Sequence, residues 1–164
     1  MDNRITISRV GLGELAEILA LQKECYISEA VLYNDFSIQP LTQNLPELEE
    51  EVRSGMVCLS GCIDGTLVAS VRGKIVNDTA YINKLMVRLP FQNRGIGKMM
   101  MRAIEKAFDK CARFELFTGD KSLKNIKLYT RLGYSICQTR KIHENLSMVY
   151  LEKTNKNIAG NRKK

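Results

Sequence analysis

A single histidine, His143, and five irregularly spaced cysteines (Cys25, Cys58, Cys62, Cys111 and Cys137) leave little for metal or disulfide chemistry. A structural zinc site needs four nitrogen or sulfur ligands. Cys58 and Cys62 lie four apart in what reads as one strand, and one histidine does not complete a set, so no metal is expected. An odd number of cysteines without regular spacing does not describe a disulfide framework and points to reduced, mostly buried thiols. No apolar run approaches the roughly 20 residues that a membrane-crossing helix requires. The start, Met1-Asp2-Asn3-Arg4-Ile5-Thr6, lacks the basic stretch, apolar core and cleavage site of a secretory leader. There are no internal repeats. A cytoplasmic protein without a membrane partner is the expectation.

What is present fits one ordinary domain. The chain has 164 residues, 45% hydrophobic and 26% charged, and its net charge is +7. That charge is unevenly placed: residues 1–55 hold four basic residues against ten acidic ones, so the remainder carries +13. An acidic first third and a basic remainder suggest two different ligands, one cationic and one anionic. Lys121, Lys124, Lys127, Arg131, Arg140 and Lys141 also raise the alternative of a basic nucleic-acid-binding module, but no DNA or RNA motif accompanies them. No specific nucleic acid is expected.

Periodicity gives the element order. Ile5 and Ile7 alternate in a short strand, and Leu12, Leu15, Ala16 and Leu19 recur at helical spacing in a helix to about Tyr26. Ile27 to Pro40 reads as an irregular loop, and Thr42 as the cap of a second helix ended by Gly55. Met56 to Val87 reads as an antiparallel meander, with Asp64-Gly65 and Asn77-Asp78 as its turns. In its second strand Leu67, Ala69, Val71 and Ile75 alternate with Ser70, Arg72 and Lys74, which predicts a core face and a polar face. Beyond Pro90 the spacing predicts a helix over 95–110, a strand over 113–118, a helix over 122–132 and strands over 134–139 and 146–152. The fold class is α+β: one domain over 1–153, with six to seven strands in a mixed sheet and about four helices. Residues 154–164 form a basic tail expected to be mobile.

The most specific feature is Gln92-Asn93-Arg94-Gly95-Ile96-Gly97-Lys98, set between a strand and a helix. Backbone amides at a helix start lack internal partners and form an anion site with the helix dipole. Gly95 and Gly97 permit close approach there, and Arg94 and Lys98 add positive charge. Walker and dinucleotide-binding fingerprints need other glycine spacings.

Gln92-x-x-Gly95-x-Gly97 resembles the acetyl-CoA pyrophosphate loop of the GNAT acetyltransferase superfamily. Val87-Arg88-Leu89-Pro90-Phe91 is similar to the strand end leading into that loop. Asn125-Ile126-Lys127-Leu128-Tyr129, followed by Leu132-Gly133-Tyr134, resembles the family's second cofactor element. The resemblance covers Ile5 to about Glu152. It implies a single GNAT-like domain whose central strand splays from its neighbour, and an acyltransferase that uses acetyl-CoA as co-substrate. Leu85, Met86 and Val87 would pair with the pantetheine arm, the turn from Gln92 through Asn93, Arg94, Gly95, Ile96 and Gly97 to Lys98 would hold the pyrophosphate, and Asn125 and Tyr129 would contact the cofactor arm.

Tyr129 stands where the family places a general acid for the leaving thiolate. Many relatives carry a strand glutamate as base where this chain has Asn83, flanked by Lys84, so either Asn83 orients a water that carries away the amine proton or the amine enters neutral from solution. No cysteine lies in a nucleophile setting, which points to direct transfer. The acceptor side would draw on Tyr26, Glu29, Tyr33 and Asp35, suited to a small cationic amine, although a protein amine also fits. A non-catalytic acyl-CoA sensor of the same fold is the alternative that the missing glutamate raises, and the protein is expected to be a monomer or a homodimer.

Overall fold

The computed structural model describes residues 4–161. Met1 to Asn3 of the start, and Arg162 to Lys164 of the expected tail, lie outside the described residues. The chain runs β1 (Thr6–Arg9), α1 (Leu15–Cys25), α2 (Ile27–Tyr33), α3 (Gln39–Thr42), α4 (Leu45–Arg53), β2 (Val57–Ile63), β3 (Thr66–Val76) and β4 (Thr79–Val87). It continues through α5 (Ile96–Ala107), β5 (Arg113–Gly119), α6 (Leu123–Arg131), β6 (Ser135–His143), β7 (Leu146–Thr154) and α7 (Lys156–Asn161). The strands form one seven-stranded sheet in the order β1-β2-β3-β4-β5-β7-β6. Every neighbouring pair is antiparallel except β4–β5, which is parallel, so the sheet is mixed as the sequence predicts.

Asp64 and Gly65 close the β2–β3 hairpin with φ of 49° and 78°, the left-handed pair that such a turn needs. Ile27 to Pro40 is not the loop read from the sequence. Its first seven residues form α2, which buries Ala30 and Tyr33 and leaves Ile27, Val31 and Leu32 in solvent. Apolar residues on both sides of the helix hide its period. Asn34 ends it with φ 50°, and Asp35 N–H donates to Ala30 O at 2.9 Å. Asn44 rather than Thr42 caps α4, its Oδ1 accepting from Glu47 N–H at 3.0 Å.

The sheet is covered on both faces. Met100 and Ile104 of α5, with Phe108 at its end, pack on Leu59, Val71, Ile82 and Phe114 of the sheet. The fit is so close that a Cβ on Gly73 would stand 2.5 Å from Phe108 Cε2. Val10, Leu15, Ile18, Leu21, Leu48, Cys58 and Met86 form a second core under α1 and α4.

Double coverage overturns the predicted polar face of β3: Ser70 and Arg72 are both 0% exposed. Arg72 donates through Nη1 and Nη2 to Gln22 Oε1, each at 2.9 Å, and through Nη2 to Gln43 Oε1 at 3.2 Å. Gln43 Nε2 donates in turn to Glu51 Oε1 at 2.8 Å. These bonds meet the requirement that a buried cation be paired. Arg72 Nε, 3.7 Å from Glu51 Oε2, is the one buried side-chain polar atom among the described residues without a hydrogen bond.

The start of the expected tail is tied down. Asn155 is buried and donates from Nδ2 to Asp109 O and Cys111 O, both at 2.8 Å, and α7 follows it. Of the five cysteines only Cys58 and Cys111 are buried, and Cys137 is exposed.

Candidate active site

β4 and β5 pair only at Thr79–Arg113, Ala80–Phe114 and Tyr81–Glu115. Beyond Tyr81 the strands part, so β4 through Val87 keeps β3 on one side and an open edge on the other. Exposure follows that opening. Asn83, Lys84, Leu85 and Val87 lie in a central strand covered on both faces, yet all four are half-buried. Met86 points instead into the second core, so only its backbone faces the gap.

A bulge sits at the same place. Ser70 pairs with Met86 and Arg72 with Asn83, which leaves Lys84 and Leu85 opposite Val71 alone. Lys84 takes φ 53°, left-handed and unusual for a lysine inside a strand.

At the end of β4 a 3-10 turn at Leu89–Phe91 leads into the glycine turn. Asn93 and Gly95 both have positive φ, at 63° and 79°. Nothing lies within 4 Å of a Cβ built on Gly95, so its glycine is required by conformation and by whatever occupies the open side. Gly97 serves a different end from the one expected. A Cβ there would stand 3.3 Å from Leu128, so Gly97 lets α5 close on α6. Ile96 is buried, and its contribution to the turn is its amide.

No side chain caps α5 and no acid lies in its first turn, leaving the amides of Ile96, Gly97 and Lys98 to an external acceptor. Gln92 does not reach outward: its Nε2 donates to Val87 O at 2.9 Å, and its Oε1 accepts from Lys124 Nζ at 3.2 Å. Lys124 thus joins the turn, while Arg94 stacks on Phe91 at 5.4 Å. The arrangement can hold an anion at the helix start and an extended, amide-bearing chain along β4.

Tyr129, Tyr26 and Glu29 lie near enough to act on one another electrostatically. Tyr129 is 6% exposed and stands edge-on to Tyr134 with centroids 6.1 Å apart. Its hydroxyl makes no hydrogen bond to the described residues and is not a buried unpartnered atom, so it touches solvent. Burial, with Tyr26 and Glu29 adding to it, pushes its pKa well above the usual tyrosine range. Tyr26 is raised in the same way, with the cation of Arg72 opposing. Asn125, four residues before Tyr129 on α6, is half-buried beside it.

Glu29 belongs to the same group. Its carboxylate accepts from Ser122 Oγ at 2.9 and 3.0 Å, and burial raises its pKa despite that bond. Tyr33 acts as an anchor: its hydroxyl accepts from Lys121 N–H at 2.9 Å and lies where a Cβ on Gly119 would be. That contact fastens α2 to the turn after β5. Asp35 stays outside, its carboxylate accepting from Ser37 N–H and Oγ, bonds that lower its pKa.

The family model for "Acetyltransferase (GNAT) family" matches residues 15–134. The chain belongs to the GNAT acetyltransferase family. No curated protein matches it by sequence. Among solved structures, this GNAT chain is similar to the PaiA N-acetyltransferase of Thermoplasma acidophilum in complex with coenzyme A. Identity is 18%, with 92% of this chain and 99% of that one covered at a TM-score of 0.78. The ribosomal-protein-S18-alanine N-acetyltransferase of Escherichia coli is 14% identical over 92% of this chain and 94% of its own, with a TM-score of 0.76. For yncA of Salmonella typhimurium with its cofactor acetyl-CoA the values are 14%, 93%, 94% and 0.73. At these identities the likeness concerns the fold. Among the described residues of this GNAT domain no helix is long and apolar enough to cross a membrane.

Two contributors escaped the sequence reading. Lys124 was legible only as one lysine of a basic helix, and Arg72 as one residue of a solvent face. The partner of Arg72 is Gln22, buried on the otherwise apolar face of α1.

Proposed function

We propose that this GNAT acetyltransferase moves an acetyl group from acetyl-CoA directly to the primary amine of a small cationic acceptor, in the cytoplasm. The observation that carries this reading is the open edge of β4 from Leu85 to Val87, running into the uncapped start of α5. When bound, acetyl-CoA brings the activated acetyl group and a thiolate as leaving group. The free backbone of Leu85, Met86 and Val87 would bind the arm by strand-like pairing, and the amides of Ile96, Gly97 and Lys98 would bind the pyrophosphate. Arg94, Lys98 and Lys124 would add attraction for the phosphates.

Tyr129 keeps its proton throughout the neutral range because its pKa lies above the ordinary value. Its hydroxyl is therefore a fixed donor, able to stabilise negative charge that develops on sulfur. Asn83 would orient a water at the amine. Glu29, with Tyr26 beside it, would meet the positive charge of the acceptor.

Thermal unfolding tests the site without knowledge of the acceptor. Acetyl-CoA at 100 times its Kd should stabilise the protein by about 2.7 kcal/mol, a shift of a few degrees for a domain of this size. A nucleotide that lacks the pantetheine arm should stabilise less. Gly95→Glu, which puts an anion and a Cβ at a left-handed position on the phosphate side, should abolish both shifts. Equal shifts with and without the arm would reject the role given to β4.

A further inference from the structure

We propose that Lys84 is the proton acceptor for the incoming amine, the part for which this chain lacks a strand carboxylate. The inference rests on the acetyl transfer proposed above. Lys84 lies on the bulge of β4 immediately before Leu85, where the strand loses its partner. It is half-buried, and Nζ makes no ion pair or hydrogen bond with the described residues. It is also not a buried unpartnered atom, so Nζ touches solvent beside the point where β4 loses its partner.

The surroundings favour the neutral amine. Two charged groups act on Lys84: Arg72 of β3 and Glu51 of α4. Arg72 is fixed by the neutral amides of Gln22 and Gln43, so its charge is only partly compensated, and Glu51 is shared with it. Burial and then Arg72 lower the Lys84 pKa to about 8. A desolvated lysine beside a second cation is a recognised way to make a base that works near neutrality.

In the step, the amine nitrogen forms the C–N bond to the acetyl carbon and the C–S bond breaks. The proton lost by the amine passes to Lys84 Nζ. The sulfur leaves as a thiolate beside the Tyr129 hydroxyl. Lys84 then returns its proton to solvent or to the thiolate, and the balance closes at one amide and one CoA thiol.

The test titrates the ε-methylene signals of 13C-lysine protein by NMR, with and without CoA. One signal, missing from Lys84→Met, should have its midpoint near 8, while exposed lysines titrate near about 10.4. CoA should displace that signal. Lys84→Arg keeps a cation but cannot release a proton in the working range. It should fold and bind CoA, yet lose about 10²- to 10⁴-fold in kcat/KM with whichever amine the parent acetylates. The parent profile should rise with pH through the Lys84 midpoint, a limb absent from the variant. An ordinary lysine midpoint, or a Lys84 signal untouched by CoA while others move, overturns the proposal. CoA that moves no signal at all rejects the acetyl-transfer reading instead.

Discussion

Tyr129→Phe is expected to bind acetyl-CoA as the parent does and to release CoA about 10²- to 10⁴-fold more slowly in the presence of an accepted amine. The ring is 6% exposed and packs on Tyr134, so phenylalanine keeps nearly all of its packing. The hydroxyl makes no hydrogen bond with the described residues, and its removal strands no partner. Stability should therefore change by less than about 1 kcal/mol. The raised pKa refines the role. A phenol made less acidic gives up its proton less readily to a thiolate, so Tyr129 should act as a hydrogen-bond donor to developing charge rather than as a complete acid. The parent rate should accordingly show no falling limb from Tyr129 below its ordinary pKa of about 10. Steady-state kinetics with a binding isotherm for acetyl-CoA checks this. An unchanged kcat would remove Tyr129 from the chemistry, and a loss confined to cofactor affinity would make it a binding residue.

Arg72→Ala should cost the fold about 3–5 kcal/mol, from the vacated volume and the stranded amides together. That is a large part of the roughly 5–15 kcal/mol by which domains are stable. Arg72 has no exposed surface, and its three hydrogen bonds join β3 to α1 and to the segment before α4. Arg72→Met fills most of the space and removes only the charge and the bonds, so it should lose less. Urea unfolding of both variants separates the two contributions. A loss below about 1 kcal/mol for Arg72→Ala would show that its desolvation offsets its bonds.

Much of this architecture was legible because the sequence signals were local. The Asp64-Gly65 turn and the glycine turn before α5 each depend on residues a few positions apart. Ile96, Met100 and Ile104 recur on the buried face of α5, and their spacing alone gives that helix. α2 was not legible, because Val31 and Leu32 are apolar on a side that faces solvent. Nor was the burial of Arg72, which depends on α1 and α4 crossing the second face of the sheet. The bulge at Lys84 is a mismatch between two strands, and neither strand announces it alone.

The site divided in the same way. Gly95 stands at the start of α5, and Tyr129 is buried on α6 against Tyr134. Tyr26 and Glu29 join Tyr129 through their mutual influence. Tyr33 is taken up by the α2 anchor, and Asp35 by the turn that follows the helix. Spacing placed all four on one segment, but only the packing of α2 against the turn after β5 brings Tyr33 to Lys121 and Glu29 to Ser122.

The most direct test of acetyl transfer to an amine is the release of CoA from acetyl-CoA with and without each member of a panel of mono-, di- and polyamines, with the product identified by mass spectrometry. The account predicts CoA release that depends on the amine, one acetyl group added to the accepted amine, and preference for acceptors with a second positive charge. Binding of acetyl-CoA with no amine-dependent release across small amines and peptide N-termini would contradict it and leave a protein that binds the cofactor without turning it over.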